Sequence, residues 1–355
     1  MTEELTAKRQ KLAPLIGTHN GHFHADEALA VYLLRLLPAY QPSTLVRTRD
    51  PEFLSTCHTV VDVGGEYDPS ANRYDHHQRT FNTTFPKHAT KLSSAGLVYM
   101  HFGKPIIAQR AGLTETAPEV DILYNKIYDE FIEAIDANDN GISVYDPVET
   151  AHIQKRFNDH GVSLASLISD LNNEFDPSAE PALPKDVSEP PKDPKALEDA
   201  RFLQASKLIG NTFLRKLHYY THTWLPTRTT VHAAYHSRLE TDPSGAILLF
   251  TTPGTPWKDH LYTLEASEPD SPKVLYVIYP ENAEPETKWR VQCVPESKDS
   301  FVSRKPLKEE WRGMRDEDLS KMAGIEGSVF VHASGFIGGN KTKDGVVEMA
   351  RRSMA

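Results

Sequence analysis

Histidine and aspartate, two common metal ligands, are concentrated at three points in the first quarter of this sequence. The chain has 16 histidines among 355 residues, and the segment 19–27, HNGHFHADE, carries three of them. Asp62 ends an apolar run at 59–61, and the segment 75–78 is DHHQ. Imidazole and carboxylate together suit Mn²⁺, Zn²⁺ or Fe²⁺ better than Ca²⁺. The three groups therefore predict a metal site.

The residues around these groups predict alternating strands and helices. Strands are expected at 14–18, 44–48, 59–63 and 73–76, and helices at 25–37, 93–102 and 120–137. Such alternation indicates a mostly parallel α/β sheet, whose ligand sites form outside the carboxyl ends of the strands. We therefore expect the three groups to converge on one crevice. Asp136 and Asp139, at the end of the last helix, are further candidates.

Several aspartates in one crevice can bridge two ions a few ångströms apart, the arrangement used for in-line displacement at phosphorus. Each residue also has a simpler interpretation. A loop histidine is usually solvated, and Asp62, just before Gly64 and Gly65, can serve a turn. The functional interpretation is favoured because all the groups fall at predicted strand or helix ends within one half of the chain.

The second half of the chain has a different character. Proline is frequent among charged residues from 174 to 195, which predicts a linker or a long exposed loop. A helix is expected from 195 to about 220, followed by strands at 246–250, 274–279, 288–294 and 328–332. We predict three parts, namely a catalytic domain at 1–173, a linker with connecting helices at 174–240, and a substrate-binding domain at 241–355.

Near the C-terminus the segment 329–342, VFVHASGFIGGNKT, predicts a strand, a glycine loop and a helix. It differs from a phosphate-binding P-loop because Asn340 stands where that motif requires glycine, which disfavours a nucleotide triphosphatase. Backbone N–H groups of a glycine turn still suit one phosphate or carboxylate, assisted by Lys341. A tight turn that needs positive φ is an equally good interpretation.

Composition argues against several classes of protein. The net charge of −10 disfavours a broad nucleic-acid surface, although a local basic track runs from Lys288 to Arg315. That track is interpreted as a polar surface loop. No apolar run approaches the ~18 residues of a membrane helix. Cys57 and Cys293 offer neither a disulfide framework nor zinc-ribbon spacing, and no secretory signal is evident, which favours a reducing intracellular compartment.

Taken in order, these motifs resemble those of the Myg-type exonucleases in the DHH phosphoesterase superfamily. The similar segments are THNG at 18–21, FHADEAL at 23–29, VDVG at 61–64, YDHHQ at 74–78 and ASGFIGGN at 333–340. The resemblance runs from about Ile16 to the C-terminus. It implies an α/β fold in which a mostly parallel-sheet DHH-type catalytic domain is joined to a smaller α+β C-terminal domain, with a two-metal cleft between them.

The resemblance also implies an activity and its cofactors. The implied activity is 3′-to-5′ exonuclease action on RNA, and the implied cofactors are two divalent ions, Mn²⁺ or Mg²⁺. The implied compartment is the nucleus, the mitochondrion or the cytoplasm. RNA or a short oligonucleotide is the expected partner, no membrane is expected, and the oligomeric state is left open.

Carried over by position, the resemblance assigns roles to individual residues. Asp62 would bridge the metals, and His77 would face the scissile phosphate with Asp75 as the second catalytic residue. The implied metal ligands are His19, His24, Asp26, Asp62, Asp75, His76 and Asp136. The implied substrate-binding residues are Arg290, His332, Ser334, Gly335, Gly338, Gly339, Asn340 and Lys341.

The first motif departs from the superfamily pattern. Many members open with histidine, three residues, aspartate, one residue and a second aspartate. His22 and Asp26 fit that spacing, but Ala28 takes the place of the second aspartate. In a second alignment His19 is the opening histidine of the pattern, and His24 and Asp26 take the places of its two aspartates. We favour this second alignment because Myg-type sequences keep it.

Two other functions stay open at this stage. A phosphatase for pyrophosphate, short oligonucleotides or a cyclic dinucleotide fits the superfamily and the net charge of −10. A sensor that binds nucleotide or RNA without turnover is the third hypothesis, and the intact set of histidines and aspartates disfavours it. A basic track on the wall of the cleft would favour a polymer over a small substrate.

Overall fold

The computed structural model describes residues 13–152, 154, 160–173 and 193–355. The chain divides into a first unit, Met1–Thr221, and a second unit, His222–Ala355. The strands of the first unit are β1 (Leu15–Thr18), β2 (Thr44–Arg47), β3 (Thr59–Val61), β4 (Tyr67–Asp68) and β5 (Arg73–Tyr74). They form one sheet in the order β2-β1-β3-β5-β4, in which only the pairing of β4 with β5 is antiparallel.

Eight α-helices of the first unit are described. They are α1 (Ala25–Leu36), α2 (Pro51–Ser55), α3 (Ser94–Ala111), α4 (Pro118–Ile127), α5 (Glu133–Asp139), α6 (Pro147–Thr150), α7 (Leu164–Asp170) and α8 (Pro194–Tyr219). Helices α1 and α3 contact the strands of this sheet. A π-helical turn, Tyr128–Ile132, joins α4 to α5. Helix α1 is buried along almost its whole length and packs against α3 and α8. The approach to α8 is close because Gly210 faces Tyr32, where a Cβ atom would lie 2.1 Å from the ring.

The second, smaller unit contains a mixed sheet that is covered on both faces. Its strands are β6 (Ile247–Leu249), β7 (Tyr276–Pro280), β8 (Trp289–Cys293), β9 (Ser328–Val331) and β10 (Ile337–Asn340), in the order β6-β7-β8-β10-β9. Only β6 and β7 are parallel. Its helices are α9 (Leu225–His236), α10 (Arg238–Thr241), α11 (Lys258–Ser267), α12 (Asp316–Ala323) and α13 (Lys343–Met354).

Side chains of neighbouring residues in this sheet enter different cores, as the alternation of a β-strand requires. Ile247 and Tyr276 belong to a core completed by residues of α12 and α13, whereas Leu248 and Val277 belong to one completed by residues of α9 and α11. Two layers of helices therefore enclose the sheet.

The predicted fold class is confirmed, since a mostly parallel α/β unit precedes a smaller mixed α and β unit. The prediction of a glycine loop at 338–339 is wrong because both glycines lie in β10, hydrogen-bonded to β8 and β9. The proline-rich linker falls mainly on 174–192, outside the described residues, so the three-part domain division stays a prediction. Helix α8, which we assigned to the linker region, packs on α1 in the first unit. Among the described helices, none has the length and apolarity to span a bilayer.

Candidate metal centre

The predicted groups meet at the carboxyl edge of the first sheet. His19 follows β1, Asp62 follows β3, and the segment 75–77 follows β5, and these three strands are neighbours in the sheet. Their side chains line one cavity of about 590 Å³. The cavity is also lined by residues 138–140, at the end of α5. The parallel topology therefore brings residues far apart in sequence to one place.

Three overlapping groups at this edge have ligand atoms within 4.8 Å of one another. The groups are His19, His24, Glu27 and Asp62; then Asp62, His76 and His77; and then His24, Asp26 and Asp139. We call these eight residues the acidic–histidine cluster. Asp62 belongs to two of the groups and so does His24, so the cluster offers adjacent rather than isolated cation positions.

Buried histidines lie between carboxylates in this cluster. Nε2 of His19 is 3.2 Å from Oε1 of Glu27 and 3.2 Å from Oδ2 of Asp62. Nε2 of His76 is 3.3 Å from Oδ1 of Asp62 and 3.1 Å from Oδ2 of Asp139. Burial alone would lower both imidazole pKa values, but the neighbouring carboxylates outweigh it and raise the pKa of His19 to about 10 and that of His76 to about 9. The raised pKa values favour the protonated form of both rings, which places positive charge between the carboxylates.

Asp26 provides the test of whether the residues fit a metal ion. Both of its carboxylate oxygens are buried, and neither has a hydrogen-bond partner among the described residues. Burial raises the pKa of Asp26 well above its usual value, and the charges of Asp62, Asp139 and Glu27 raise it further. A buried carboxylate without a partner is costly, and such groups normally pair or bind a metal. The cluster therefore fits a divalent cation.

Asp62 adopts an unusual backbone conformation at the centre of the cluster. Its φ of 59° lies in the left-handed region, which non-glycine residues rarely occupy and which often marks functional sites. The hydroxyl of Ser94, in the first turn of α3, lies 3.2 Å from Oδ1 of Asp62. Burial alone would raise the pKa of Asp62, but the imidazoles of His19 and His76 outweigh it and hold this pKa below the usual range. The carboxylate is thus kept ionised and aimed at both histidines.

The loop after β1 is fixed by contacts with distant parts of the first unit. The buried guanidinium of Arg47 donates to the carbonyl of Gly21 (2.7 Å) and to Glu198 (2.7 Å). Glu198, near the start of α8, accepts in turn from the Gly21 amide at 2.7 Å. The side chain of Asn172 bonds both the amide and the carbonyl of Phe23. These contacts set the path of the chain between His19 and His24.

His77 and Asp75 form a pair at the mouth of the cavity. Nδ1 of His77 lies 2.7 Å from Oδ1 of Asp75, and the imidazole side chain is 61% exposed. Asp75 also accepts from the backbone amides of Gly65 and His77. The hydrogen bond with Asp75 raises the pKa of His77, against a smaller opposing effect of burial. In this arrangement Asp75 orients His77, and it belongs to none of the three metal-ligand groups.

The structure does not bring Asp136 to the cluster. Its Oδ1 accepts from the amide and hydroxyl of Ser93 (2.9 and 2.7 Å) and from the amide of Gly96 (3.0 Å), and its Oδ2 accepts from Tyr128. It therefore caps the N-terminus of α3, where an anion is favoured. Burial raises its pKa to about 7 even though these hydrogen bonds lower it. Asp139, one turn further along α5, contacts His76 in its place.

Sequence reasoning did not identify three residues of the site, and it left a fourth out of the implied metal ligands. Glu27 was not recognised because its sequence position also suits a helix cap. It is the third residue of α1 and accepts from the amide of His24, as helix-capping glutamates do. Asp139 was a candidate together with Asp136 but was not among the ligands that the resemblance implied. Arg49 and Lys91 line the cavity, but each comes from a loop whose position only the sheet order reveals.

The predicted substrate residues lie in the second unit, around β8 and the turn between β9 and β10. His332 and Ser334 are exposed and bond each other through Nδ1 and Oγ at 2.9 Å, and Gly335 turns the chain with φ of 74°. Asn340 is fully buried and bonded to the backbone of Glu326 and Thr342. These contacts give Asn340 a structural role.

The remaining predicted residues of this region have close packing partners. Arg290 pairs with Glu281 and its guanidinium lies 4.9 Å from the centre of the Phe330 ring. Gly339 provides the space for it, since a Cβ there would lie 2.3 Å from Nη1 of Arg290. Gly338 is similarly close to the side chain of Leu307. Lys341 is exposed and its amide donates to the carbonyl of Gly327.

Comparison with known proteins covers nearly the whole chain. The family model MYG1_exonuc, described as "Uncharacterised protein family (UPF0160)", matches residues 15–354. The MYG1 exonuclease of Bos taurus is 46% identical over 348 residues, which are 96% of this chain and 85% of the bovine protein. The MYG1 exonuclease of Homo sapiens is 45% identical over 348 residues, with 96% of this chain and 86% of the human protein covered.

Among solved structures, RecJ from Thermus thermophilus in complex with Mn²⁺ matches with a TM-score of 0.23 and 13% identity, over 96% of this chain and 52% of RecJ. So low a score supports no structural conclusion. The family model and the relatives at 45–46% identity agree over almost the full length. This chain belongs to the MYG1 exonuclease family.

Proposed function

We propose that this protein is a metal-dependent phosphodiesterase that removes nucleotides from the 3′ end of RNA. The observation that carries the proposal is the buried, unpartnered carboxylate of Asp26 beside the histidines and carboxylates of the cluster. A site of this kind, in a family whose curated mammalian members are named exonucleases, supports a metal-dependent phosphoester hydrolase. RNA as substrate and the 3′-to-5′ direction follow from the resemblance of the motifs.

The acidic–histidine cluster would hold Mn²⁺ or Mg²⁺, most simply two ions that share Asp62. When bound, such ions activate water and neutralise charge on the phosphoryl group. Asp26, Glu27 and Asp139 would contribute the remaining carboxylates, and His19, His24 and His76 the imidazoles. Mg²⁺ prefers oxygen ligands, so a cluster this rich in imidazole favours Mn²⁺.

His77 has the geometry of a general acid. Its Nδ1 is engaged with Asp75, which leaves Nε2 of an exposed ring free to meet the substrate. The carboxylate of Asp75 raises the pKa of His77 and so favours the protonated ring near neutral pH. We propose that His77 gives this proton to the leaving oxygen of the RNA chain. Asp75 then acts as a positioning residue that fixes the ring and stabilises its charge.

The test is hydrolysis of single-stranded RNA labelled at the 5′ end, followed over time with Mn²⁺ present. A 3′-to-5′ exonuclease shortens the labelled strand one nucleotide at a time, whereas a 5′-to-3′ enzyme releases the label at once as a mononucleotide. Asp62→Asn should abolish shortening. Asp121→Asn, an exposed aspartate of α4 paired with Lys104, is the matched control. A wild-type protein that leaves RNA intact with Mn²⁺, Mg²⁺ and Zn²⁺ would overturn the proposal.

A small-substrate phosphatase is the second candidate. It is favoured by the net charge of −10 and by a cavity of about 590 Å³, a volume typical of small-ligand sites. The same preparation tested on RNA, DNA, dinucleotides and pyrophosphate separates the two functions. A preference for pyrophosphate or dinucleotide over longer RNA would select the phosphatase.

From the resemblance we also propose that the protein acts in the nucleus and the mitochondrion, which fractionation of cells with a tagged full-length chain would test.

A further inference from the structure

Two cations share the cavity with the acidic–histidine cluster. Arg49 and Lys91 line its wall together with the carboxylates of Asp62, Asp75 and Asp139. Among residues 13–152, 160–173 and 193–355, the side chains of Arg49 and Lys91 form no ion pair with a carboxylate. They differ in this respect from the cavity carboxylates, which all contact histidines.

The two cations stand at different ends of the cluster. Arg49 follows β2, the edge strand, and its neighbour Thr48 donates its amide to the carbonyl of Thr18, the residue before His19. Arg49 therefore belongs to the His19 end.

Lys91 lies just before α3, and its carbonyl accepts from the side chain of Asn140, which follows Asp139. Its ammonium lies 5.4 Å from the centre of the Phe81 ring, and that ring is 6.3 Å from the ring of His76. Lys91 therefore belongs to the end formed by His76 and Asp139.

The charges in the cavity determine which kind of ligand Arg49 and Lys91 can bind. The carboxylates of the cavity are committed to histidines and, on the proposed function, to divalent ions. Arg49 and Lys91 are then the positive side chains of the wall that stay available to an anion. An arginine fork matches phosphate oxygens, and lysine binds phosphate as a point charge. Two such groups at separate ends of the cluster suit a chain that carries more than one phosphate.

We propose that Arg49 and Lys91 each bind a backbone phosphate of a single-stranded nucleic acid at the metal cluster, and so select a nucleotide chain over a dinucleotide. The inference rests on the proposed function, whose substrate class it narrows. Both residues are binding residues for the backbone and carry no base preference, since phosphate contacts hold a strand without reading its sequence.

The experiment measures how binding depends on salt. Each phosphate contact to a single strand contributes about 0.7 to the slope of log affinity against log salt concentration. A 5′-fluorescein-labelled phosphorothioate hexaadenylate is titrated with the full chain in Mn²⁺, and anisotropy gives Kd from 50 to 300 mM KCl. The Arg49→Ala/Lys91→Ala double variant should lower the slope by about 1.4, and each single variant by about 0.7. Arg49→Lys with Lys91→Arg should restore most of it.

Arg110→Ala serves as the control, because Arg110 is an exposed cation of α3 outside the cavity lining. Its slope should equal that of the wild type. In turnover assays the double variant should raise KM for hexaadenylate at least tenfold, raise KM for diadenylate far less, and change kcat by less than threefold. Circular dichroism and a thermal melt establish that the variants fold.

Three outcomes are decisive. A reduced slope with the larger KM penalty on the hexamer supports the inference. An unchanged slope, or equal penalties on dimer and hexamer, in a protein whose wild type cleaves RNA overturns the inference and leaves the proposed function standing. A folded wild type that neither binds nor cleaves RNA overturns both.

Discussion

Asp26 in the first unit and Asn340 in the second are buried polar residues of opposite physical character. In the first unit Asp26 is buried with both oxygens unpartnered among the described residues, and Asp62 holds a left-handed backbone angle beside two histidines. In the second unit Asn340 is equally buried, but its amide and its carbonyl oxygen both have backbone partners. A buried carboxylate without a partner, beside other possible ligands, points to a missing cation, whereas a side chain with all its hydrogen bonds made has a structural role.

This difference separates residues that a sequence motif presents as equals. The Asp-His-His segment and the Gly-Gly-Asn segment are similarly distinctive in the sequence. The first supplies side chains to an open cavity, whereas the second is a strand whose glycines make room for Arg290 and Leu307. Metal chemistry is therefore expected to depend on the first unit, and changes around β10 are expected to act mainly through stability.

The largest effect should come from Asp62, the carboxylate shared by two ligand groups. Asp62→Asn keeps the size of the side chain but removes the charge that faces His19 and His76. We expect Mn²⁺-dependent hydrolysis of RNA to fall by more than about 100-fold, since loss of a residue that merely supports a metal ligand costs about 10–100-fold. The rate of RNA shortening measures it. Activity within threefold of the wild type would show that Asp62 is not at the centre of the site.

Removal of metal should make stability depend on pH in a particular direction. His19 and His76 have pKa values of about 10 and 9 in the metal-free fold, against about 6.5 in the unfolded chain. Because these folded values are raised, the stabilisation is complete below about pH 6.5 and is lost as pH rises towards 9 and 10. The melting temperature of the EDTA-treated protein should fall across this window.

The pH dependence of Mn²⁺ affinity provides the matching comparison. Ligand histidines must be deprotonated to bind a metal, so Mn²⁺ affinity should rise with pH over the same window. A His19→Gln/His76→Gln variant should lose most of the pH dependence of the metal-free melting temperature. Metal-free wild type that grows more stable between pH 7 and 9.5 would contradict the charge pattern of the cluster.

Asp136 and Asp139, one helical turn apart, should give opposite phenotypes. Asp139→Asn removes a carboxylate beside His76 and should weaken Mn²⁺ binding by about 10–100-fold. Asp136→Asn removes the negative charge that caps α3 and replaces the carboxylate oxygen facing Tyr128 with an amide donor, so it should lower the free energy of unfolding by about 1–3 kcal/mol. Urea unfolding and calorimetric titration of both variants measure the contrast. If Asp136→Asn weakened Mn²⁺ binding and Asp139→Asn did not, Asp136 would be the metal ligand and our assignment would be wrong.

The smallest effect on the metal site should come from Gly339. A methyl group there would meet Nη1 of Arg290 at 2.3 Å and the ring of Phe330 at 3.2 Å. Gly339→Ala should therefore lower the free energy of unfolding by about 1–3 kcal/mol, the usual cost of overpacking. Mn²⁺ binding to the folded protein should change far less than in Asp139→Asn. A variant as stable as the wild type would show that the Arg290 side chain moves aside freely.

The sequence allowed prediction of much of the first unit because its signals are local. Apolar runs marked β1, β2 and β3, and the residues that follow β1, β3 and β5 were already candidates for the site. Glu27 was missed because the same side chain caps α1. Arg49 and Lys91 were missed because only the order of the strands and the bond from Asn140 bring them to the cavity.

The second unit was harder to predict because its strands depend on their partners. The segment that forms β10, Ile337–Asn340, contains two glycines and has the local character of a loop. Pairing with β8 on one side and β9 on the other makes it a strand. Asp136 was a candidate from its place at the end of a helix and a ligand by the resemblance of the motifs. Only its three hydrogen bonds to the start of α3 show what it does.

On the proposed function, the acidic–histidine cluster holds divalent cations. Calorimetric titration of metal-free protein with Mn²⁺, for the wild type and for Asp62→Asn, tests it most directly. We expect two ions per chain in the wild type and at most one, bound more weakly, in the variant. A wild type that binds no Mn²⁺, or a variant that binds the same number of ions with equal affinity, would contradict it.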